Sequence, residues 1–367
     1  EDEWLFDVSF PEDGGKPNEA ALRKRLNAIK ATEFPWMSEV TKVAPQNAIK
    51  NVGVAFQNFF RRVKQGGKPG YPRFKRKGVH DAFRADNGPK DASSNAVECD
   101  GKTIKLPRCG AVRMREHLRF TGRTLAATVS KQADGWYVAI LVDTADCLSG
   151  PLHRGTVGVD LGIKELATLS TGEVIPSLKP HRAAHARLVR LSRSLSRKQK
   201  GSSNRAKAKT KLAKLHKRIA DIRTDALHKL TTKLATEFDT IAIEDLNVAG
   251  MLRNRCLARS IADAGFSEFR RQLEYKAVMT GAHVQVVDRF FPSSKTCHSC
   301  GTIHPMKLSD RVMVCDCGMV LDRDLNAAMN LKQHAASSAV SACGEESSGS
   351  GRKTGTKLAS MKQEVEV

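Results

Sequence analysis

The sequence predicts an α+β multidomain protein: a helical bundle with a small β barrel, a mixed α/β domain, and an inserted cysteine module. Three observations predict it. Alternating apolar runs punctuated by Gly, Asp and Lys turns occupy residues 83–145. Two apolar strands, 156–160 and 240–244, each end on an acid and bracket a long helical segment. Four of the nine cysteines crowd into residues 297–317. The expected regions are helices and barrel over 1–150, the α/β domain over 151–296 with a basic helical hairpin at 182–233, the cysteine module over 297–320, a final α/β segment over 321–334, and a flexible tail over 335–367.

Residues 1–63 read as an irregular start followed by helices. Pro11, Gly14, Gly15 and Pro17 punctuate the start, and Leu22, Leu26 and Ile29 recur at helical spacing. A second apolar stripe, Ala48, Val52, Ala55, Phe56, Phe59 and Phe60, is expected to face a core. Residues 64–77 turn basic, kinked and aromatic. Tyr71, Arg73, Phe74, Lys75 and Arg76 are candidate nucleic-acid contacts there, with cations along phosphates and a ring against a base or sugar. The plainer alternative is a solvated charged loop. In 83–145, Gly101-Lys102 and Ala133-Asp134-Gly135 mark hairpin turns, and a small barrel or sandwich fits.

The formal charge of +22 calls for a polyanion, because a compact body with that excess repels itself. Nucleic acid is the expected partner, with salt-dependent binding. An anionic membrane surface is the rival. No apolar run reaches 18 residues, so no membrane span is expected. The segment 182–233 concentrates the charge, with 17 Lys or Arg against Asp221 and Asp225. Leu212, Leu215, Ile219 and Ile222 form a coiled-coil-like seam, Leu188, Leu191 and Leu195 an earlier stripe, and Gly201-Ser202-Ser203-Asn204 separates them. A helical hairpin is predicted, with Lys207, Lys209, Lys211, Lys214, Lys217 and Arg218 facing phosphates.

Asp160 and Glu244 each close a buried-looking strand, and Asp324 opens the helix over Leu325-Asn326-Ala327-Ala328. Carboxylates are costly to bury unless paired or metal-bound. Three hard oxygen ligands suit Mg²⁺ or Mn²⁺, and two such ions can clamp a phosphodiester. Asp245 and Asp322 are neighbouring acids that compete for the assignment, and a pair of acids alone can also serve acid–base chemistry. Cys297, Cys300, Cys315 and Cys317 form two close pairs, suited to one structural tetrahedral Zn²⁺, with His298 or His304 able to replace one sulfur. Cys99, Cys109, Cys147, Cys256 and Cys343 are scattered, which points to a reducing, intracellular compartment rather than a disulfide framework. The opening residues Glu1-Asp2-Glu3-Trp4 have no basic leader and no Met, so a longer natural protein is expected.

The order Gly158-Val159-Asp160-Leu161-Gly162-Ile163-Lys164, Ile243-Glu244-Asp245-Leu246, the first cysteine pair, then Asp322-Arg323-Asp324-Leu325-Asn326-Ala327-Ala328 resembles the TnpB family. Phe290-Phe291-Pro292-Ser293-Ser294-Lys295-Thr296-Cys297 and the Pro69-to-Lys75 run are also similar to that family, which is related to type V CRISPR effectors. The resemblance spans about residues 40–332. It implies a RuvC-like, RNase H-type nuclease domain with Asp160, Glu244 and Asp324 as catalytic metal ligands, and a zinc ribbon held by the four cysteines. It further implies a guide RNA derived from the transposon end, and cleavage of double-stranded DNA beside a short transposon-adjacent motif. No obligate protein partner is expected, and the location is the prokaryotic cytoplasm. Two features depart from the family: the second pair is Cys-x-Cys where many members have Cys-x-x-Cys, and the chain begins late. The alternatives are a nuclease-inactive RNA-guided DNA-binding protein, a transposition accessory factor, a strand-joining transposase, whose usual acid order is Asp, Asp, Glu, or a purely structural nucleic-acid scaffold.

Overall fold

The computed structural model describes residues 19–68, 70–76, 78–79, 81–88, 97–144, 155–307, 309–343 and 361–366. The chain divides into two compact units, Glu1–Ala145 with Leu358–Val367, and Asp146–Lys357. The irregular start and Cys147 lie outside the described residues.

The first unit opens with α1 (Glu19–Ile29), a 3₁₀ turn (Pro35–Ser38) and α2 (Val43–Lys64). Neither helix buries a residue, so the expected bundle is only a pair. Phe60 is 63% exposed rather than in a core. The aromatics of α2 instead gather Tyr71, whose ring meets Phe56 and Phe59 edge-on at 5.8 and 5.6 Å. Two helices alone present too little facing surface to enclose an apolar stripe.

Six strands follow: β1 (Ala82–Asp86), β2 (Glu98–Asp100), β3 (Thr103–Leu106), β4 (Gly110–Arg113), β5 (Arg123–Lys131) and β6 (Trp136–Asp143). The hairpin turns fall where the sequence places them. The predicted barrel does not form. Among the described residues, one sheet is an open β1-β5-β6 array extended at its edge by a strand from the far end of the chain, and β2-β3-β4 is a separate meander. Closure requires the first and last strands to pair at a consistent stagger. Here apolar residues of both sheets, including Ala85, Ala127, Val138 and Ile140 from one and Ile104 and Leu106 from the other, share one core. Packing the sheets together buries that surface without closing either.

The second unit begins with a meander, β7 (Thr156–Leu161), β8 (Glu165–Leu169) and β9 (Val174–Pro176). A hairpin of α3 (Pro180–Ser196) and α4 (Ser203–Glu237) follows, then β10 (Thr240–Glu244), α5 (Val248–Met251), α6 (Ala258–Ala264), α7 (Phe266–Thr280) and β11 (His283–Val287). The sheet order is β11-β10-β7-β8-β9, with β10 parallel to both β7 and β11. A small hairpin, β12 (Val312–Val314) and β13 (Val320–Asp322), leads into α8 (Arg323–Cys343). Where a flexible tail is expected from residue 335, α8 continues, and β14 (Met361–Glu366) is the added edge strand, paired with β6 of the first unit. No helix of the described residues is long and apolar enough to cross a membrane.

Val157 and Val159 of β7 and Ile241 and Ile243 of β10 share a core with Leu227, Leu234, Phe269 and Leu273. Side chains alternate along a strand. The intervening positions, Gly158 and Asp160 in β7 and Ala242 and Glu244 in β10, therefore belong to the opposite face, where Leu331 and Ala335 of α8 cover Ala242. The hairpin seam holds Leu188, Leu215 and Ile219, with Leu191 and Leu212 against them. Ile222, expected in that seam, is exposed, because beyond it α4 turns its apolar side to the sheet through Leu227 and Leu230. Gly265, at φ +76°, separates α6 from α7, and the buried Asp263 carboxylate accepts from the N–H groups of His181 and Arg182, capping α3. Lys276 of α7 is held by neutral acceptors only, the His228 carbonyl and the hydroxyls of Thr231 and Thr232, and burial lowers its ammonium to about 8.

Helix α8 meets β7 backbone to backbone. A methyl group on Gly158 would overlap the Ala328 carbonyl and lie 2.7 Å from the Lys332 nitrogen. Neither atom can move without moving the helix. Gly158→Ala is therefore expected to destabilise the unit by about 3 kcal/mol or more, read as a lowered denaturant midpoint, and to cost cleavage activity beyond what the loss of folded protein explains.

Candidate active site and metal centre

Asp160 sits near the end of β7 and Glu244 at the end of β10. The parallel register pairs Ile243 with Val159, so the two acids leave neighbouring strands side by side. Asp324 lies in the first turn of α8. Burial first, and then the charges of Asp324 and Glu244, push the Asp160 carboxyl up to about 7. Burial, followed by the charge of Asp245, also raises Glu244. The charges of both other acids thus bear on the buried Asp160.

The competing acids are engaged elsewhere. Asp322 caps α8: its Oδ1 accepts from the N–H groups of Asp324 and Leu325 at 2.9 and 3.2 Å. Asp245 is clasped by two guanidinium groups, Arg270 of α7 at 2.8 Å and Arg289 of the loop after β11. Hydrogen bonds from Arg289 and Arg270 hold its carboxyl below the usual range. Arg323 lies 3.7 Å from Asp324. A cleft of about 370 Å³ opens beside Glu244, lined by Asn247, Phe266, Arg270, Arg271 and Arg289 among others. Sequence reasoning passed over Arg270 and Arg289. Their signal is weak, because each lies far along the chain from the acid it serves.

The four cysteines converge, with all donor atoms within 4.8 Å of one another. Cys297 and Cys317 sulfurs are 3.7 Å apart, and those of Cys300 and Cys315 are 3.4 Å apart. A tetrahedron with metal–sulfur bonds of about 2.3 Å has edges of about 3.8 Å, so the cluster has the dimensions of a tetrahedral thiolate site. The Thr302 hydrogen bond leads the influences that lower Cys300 to about 6. His304 stands 3.1 Å from the Cys315 sulfur, whereas His298 contributes only its backbone, donating to Asn326. That bond ties the cluster to the helix of Asp324. Asn326 in turn donates to the Thr296 carbonyl at 2.7 Å, and Asn330 to the carbonyls of Ser293 and Thr296.

The basic candidates are spread over both units. Tyr71, Arg73, Phe74, Lys75 and Arg76 are exposed in the first, Tyr71 with its ring also against Phe56 and Phe59 of α2. In the second, Lys207, Lys209, Lys211, Lys214 and Arg218 are exposed along α4. Lys217 is half-buried and paired with Asp221 at 2.8 Å. Arg205 is structural, bonding the carbonyls of Leu195 and Lys198 where α3 ends.

Two family models match the chain, "Probable transposase" over residues 140–255 and "Cas12f1-like, TNB domain" over residues 266–331. A "Putative RNA-guided DNA endonuclease" of Streptomyces pristinaespiralis is 40% identical, over 91% of this chain and 81% of the relative. The chain belongs to the TnpB family of RNA-guided DNA endonucleases. The Escherichia coli K12 protein "Putative RNA-guided DNA endonuclease InsQ" is 36% identical, over 86% of this chain and 79% of its own length. A solved Cas12f1–sgRNA–target DNA complex shares this fold with a TM-score of 0.55, at 15% identity, over 87% of this chain and 76% of that one.

Because the cysteine cluster is bonded to α8, its loss should reach the acids. Cys297→Ser is expected to release one metal ion per chain by elemental analysis, and to speed amide hydrogen exchange around Asn326. An unchanged metal content would exclude the cluster as a binding site.

Proposed function

We propose that this endonuclease cuts double-stranded DNA beside a short transposon-adjacent motif, at the Asp160, Glu244 and Asp324 cluster, directed by an RNA from the transposon end. The observation that supports the reading is that Asp160 and Glu244 lie at the ends of neighbouring strands with the charge of Asp324 bearing on Asp160 from α8, while Asp322 and Asp245 are taken by a helix cap and an arginine clasp. The donor set fits Mg²⁺ or Mn²⁺, which when bound would supply Lewis acidity toward a phosphodiester. Burial, and then the charges of Asp324 and Glu244, disfavour the ionised form of Asp160, which positive charge brought beside it would favour. Arg323 contributes some of that charge from within the protein. Cys297, Cys300, Cys315 and Cys317 fit a structural zinc, with all four positions filled by sulfur and none left open for chemistry.

The exposed cations of α4 suit RNA or heteroduplex phosphates, and Arg73, Lys75 and Arg76, with the ring of Phe74, suit a nucleic-acid backbone. Guide pairing then reads the target sequence while the protein reads the short flanking motif and backbone shape.

Asp160→Ala should abolish DNA cleavage by the RNA-loaded protein while RNA affinity stays within about twofold. Persistent divalent-metal-dependent cutting by this variant would end the assignment. Neutralising Lys207, Lys209, Lys211, Lys214 and Arg218 together should weaken RNA binding uniformly across sequences. It should also flatten the salt dependence of affinity, by about 0.7–0.9 in slope for each phosphate left without its cation. Parallel salt titrations for variant and parent would mean these residues face only solvent. Lys217→Gln, which removes a charge already paired with Asp221, should change the slope little.

A further inference from the structure

We propose that Phe290 is a stacking platform for an unpaired nucleobase of the DNA strand led to the carboxylate cluster. This inference rests on that cluster being the cleavage site. Strand β11 runs parallel to β10, and its last residue, Val287, is the register partner of Glu244. The chain leaving β11 therefore starts at the acid edge of the sheet, and Phe290 is three residues on.

Phe290 is 85% exposed. Single exposed rings are common on protein surfaces and by themselves mean nothing. What sets this one apart is that everything around it is fastened. The Phe290 N–H donates to the Asp288 carboxylate at 2.8 Å, and the Phe291 N–H to the Asp288 carbonyl at 3.0 Å. Phe291 turns inward, edge-on to His334 at 4.8 Å and against the core of Ala242, Val287 and Leu331. Just beyond, Asn330 holds the Ser293 carbonyl. On the other side, Arg289 is committed to Asp245, the residue next to Glu244. Two adjacent phenylalanines thus divide the work: one anchors the loop, and the other is held out in water at a fixed place.

A ring fixed in solvent has its faces open to a flat apolar partner, and a nucleobase is such a partner. Stacking does not discriminate among bases, since every base has a π-face. That suits an enzyme whose target sequence is read by RNA pairing. The base must be unpaired, because within a duplex both its faces are already covered by neighbours.

The test compares binding of a short single-stranded oligothymidylate with an abasic deoxyribose-phosphate chain of equal length, by fluorescence anisotropy on the full chain. The parent should prefer the thymidylate. Phe290→Ala should shrink that preference by about fivefold or more, with the salt dependence of binding unchanged, because every cation facing a phosphate stays in place. Phe290→Trp should keep the preference and Phe290→Leu should lose it. A preference that survives in Phe290→Ala or in Phe290→Leu overturns the proposal. Should Phe290→Ala fail to fold by circular dichroism, the tryptophan and leucine variants decide alone. Asp160→Ala, run beside them, separates the two readings. If it still cuts DNA, the cleavage assignment fails whatever Phe290 does. If it is inactive while the Phe290 variants bind as the parent does, only the platform fails.

Discussion

The close approach of α8 to β7 is the constraint on which the second unit depends. A strand with a side chain at position 158 cannot accept a helix backbone at this distance, and without the helix at this distance Asp324 does not reach Asp160. Glycine normally weakens a strand interior. Here that cost is offset by the burial of Ala327, Ala328 and Leu331. The same glycine keeps its ladder role, its N–H donating to the Ser170 hydroxyl at 3.0 Å and its carbonyl accepting from the Ser170 N–H. Two residues further along the same face, the strand delivers the acid.

The cysteine cluster acts on the start of the same helix. Through Asn326 and Asn330, both buried, the backbone around Thr296 is bonded to the first turns of α8. Asp322 closes β13 and caps the helix at once, so the hairpin, the cap and the acid form one continuous device. The cluster lies outside the carboxylate edge yet fixes the start of the helix that completes it. Such supporting bonds commonly matter as much to a metal site as its own ligands.

Charge in this protein is sorted rather than merely abundant. Around the acid edge, Arg270, Arg271 and Arg289 each meet a carboxylate, of Asp245, Glu274 or Glu268. Along α4 the cations greatly outnumber acids; Lys217 and Lys229 reach Asp221 and Asp225, and Lys233 reaches Glu173. A neutralised cleft beside a strongly positive arm is the arrangement expected where one surface grips a polyanion and another presents a phosphodiester to cations.

Much of this was legible in the sequence, because the signals are local. Strand ends bearing Asp160 and Glu244, the paired cysteines, the α3–α4 hairpin and the concentration of lysine all follow from periodicity and composition within short windows. The motif order was enough to indicate the TnpB family. What the sequence could not decide depends on residues distant along the chain. No barrel forms because the two sheets cover each other's apolar faces, and the stripe of α2 is not a core because, among the described residues, that helix buries none of its side chains. The capping of α8 by Asp322, the clasp of Asp245 by Arg270 and Arg289, and the outward ring of Phe290 beside the inward ring of Phe291 were likewise open. Each turns on which face of an element meets which neighbour, and only the folded chain fixes that.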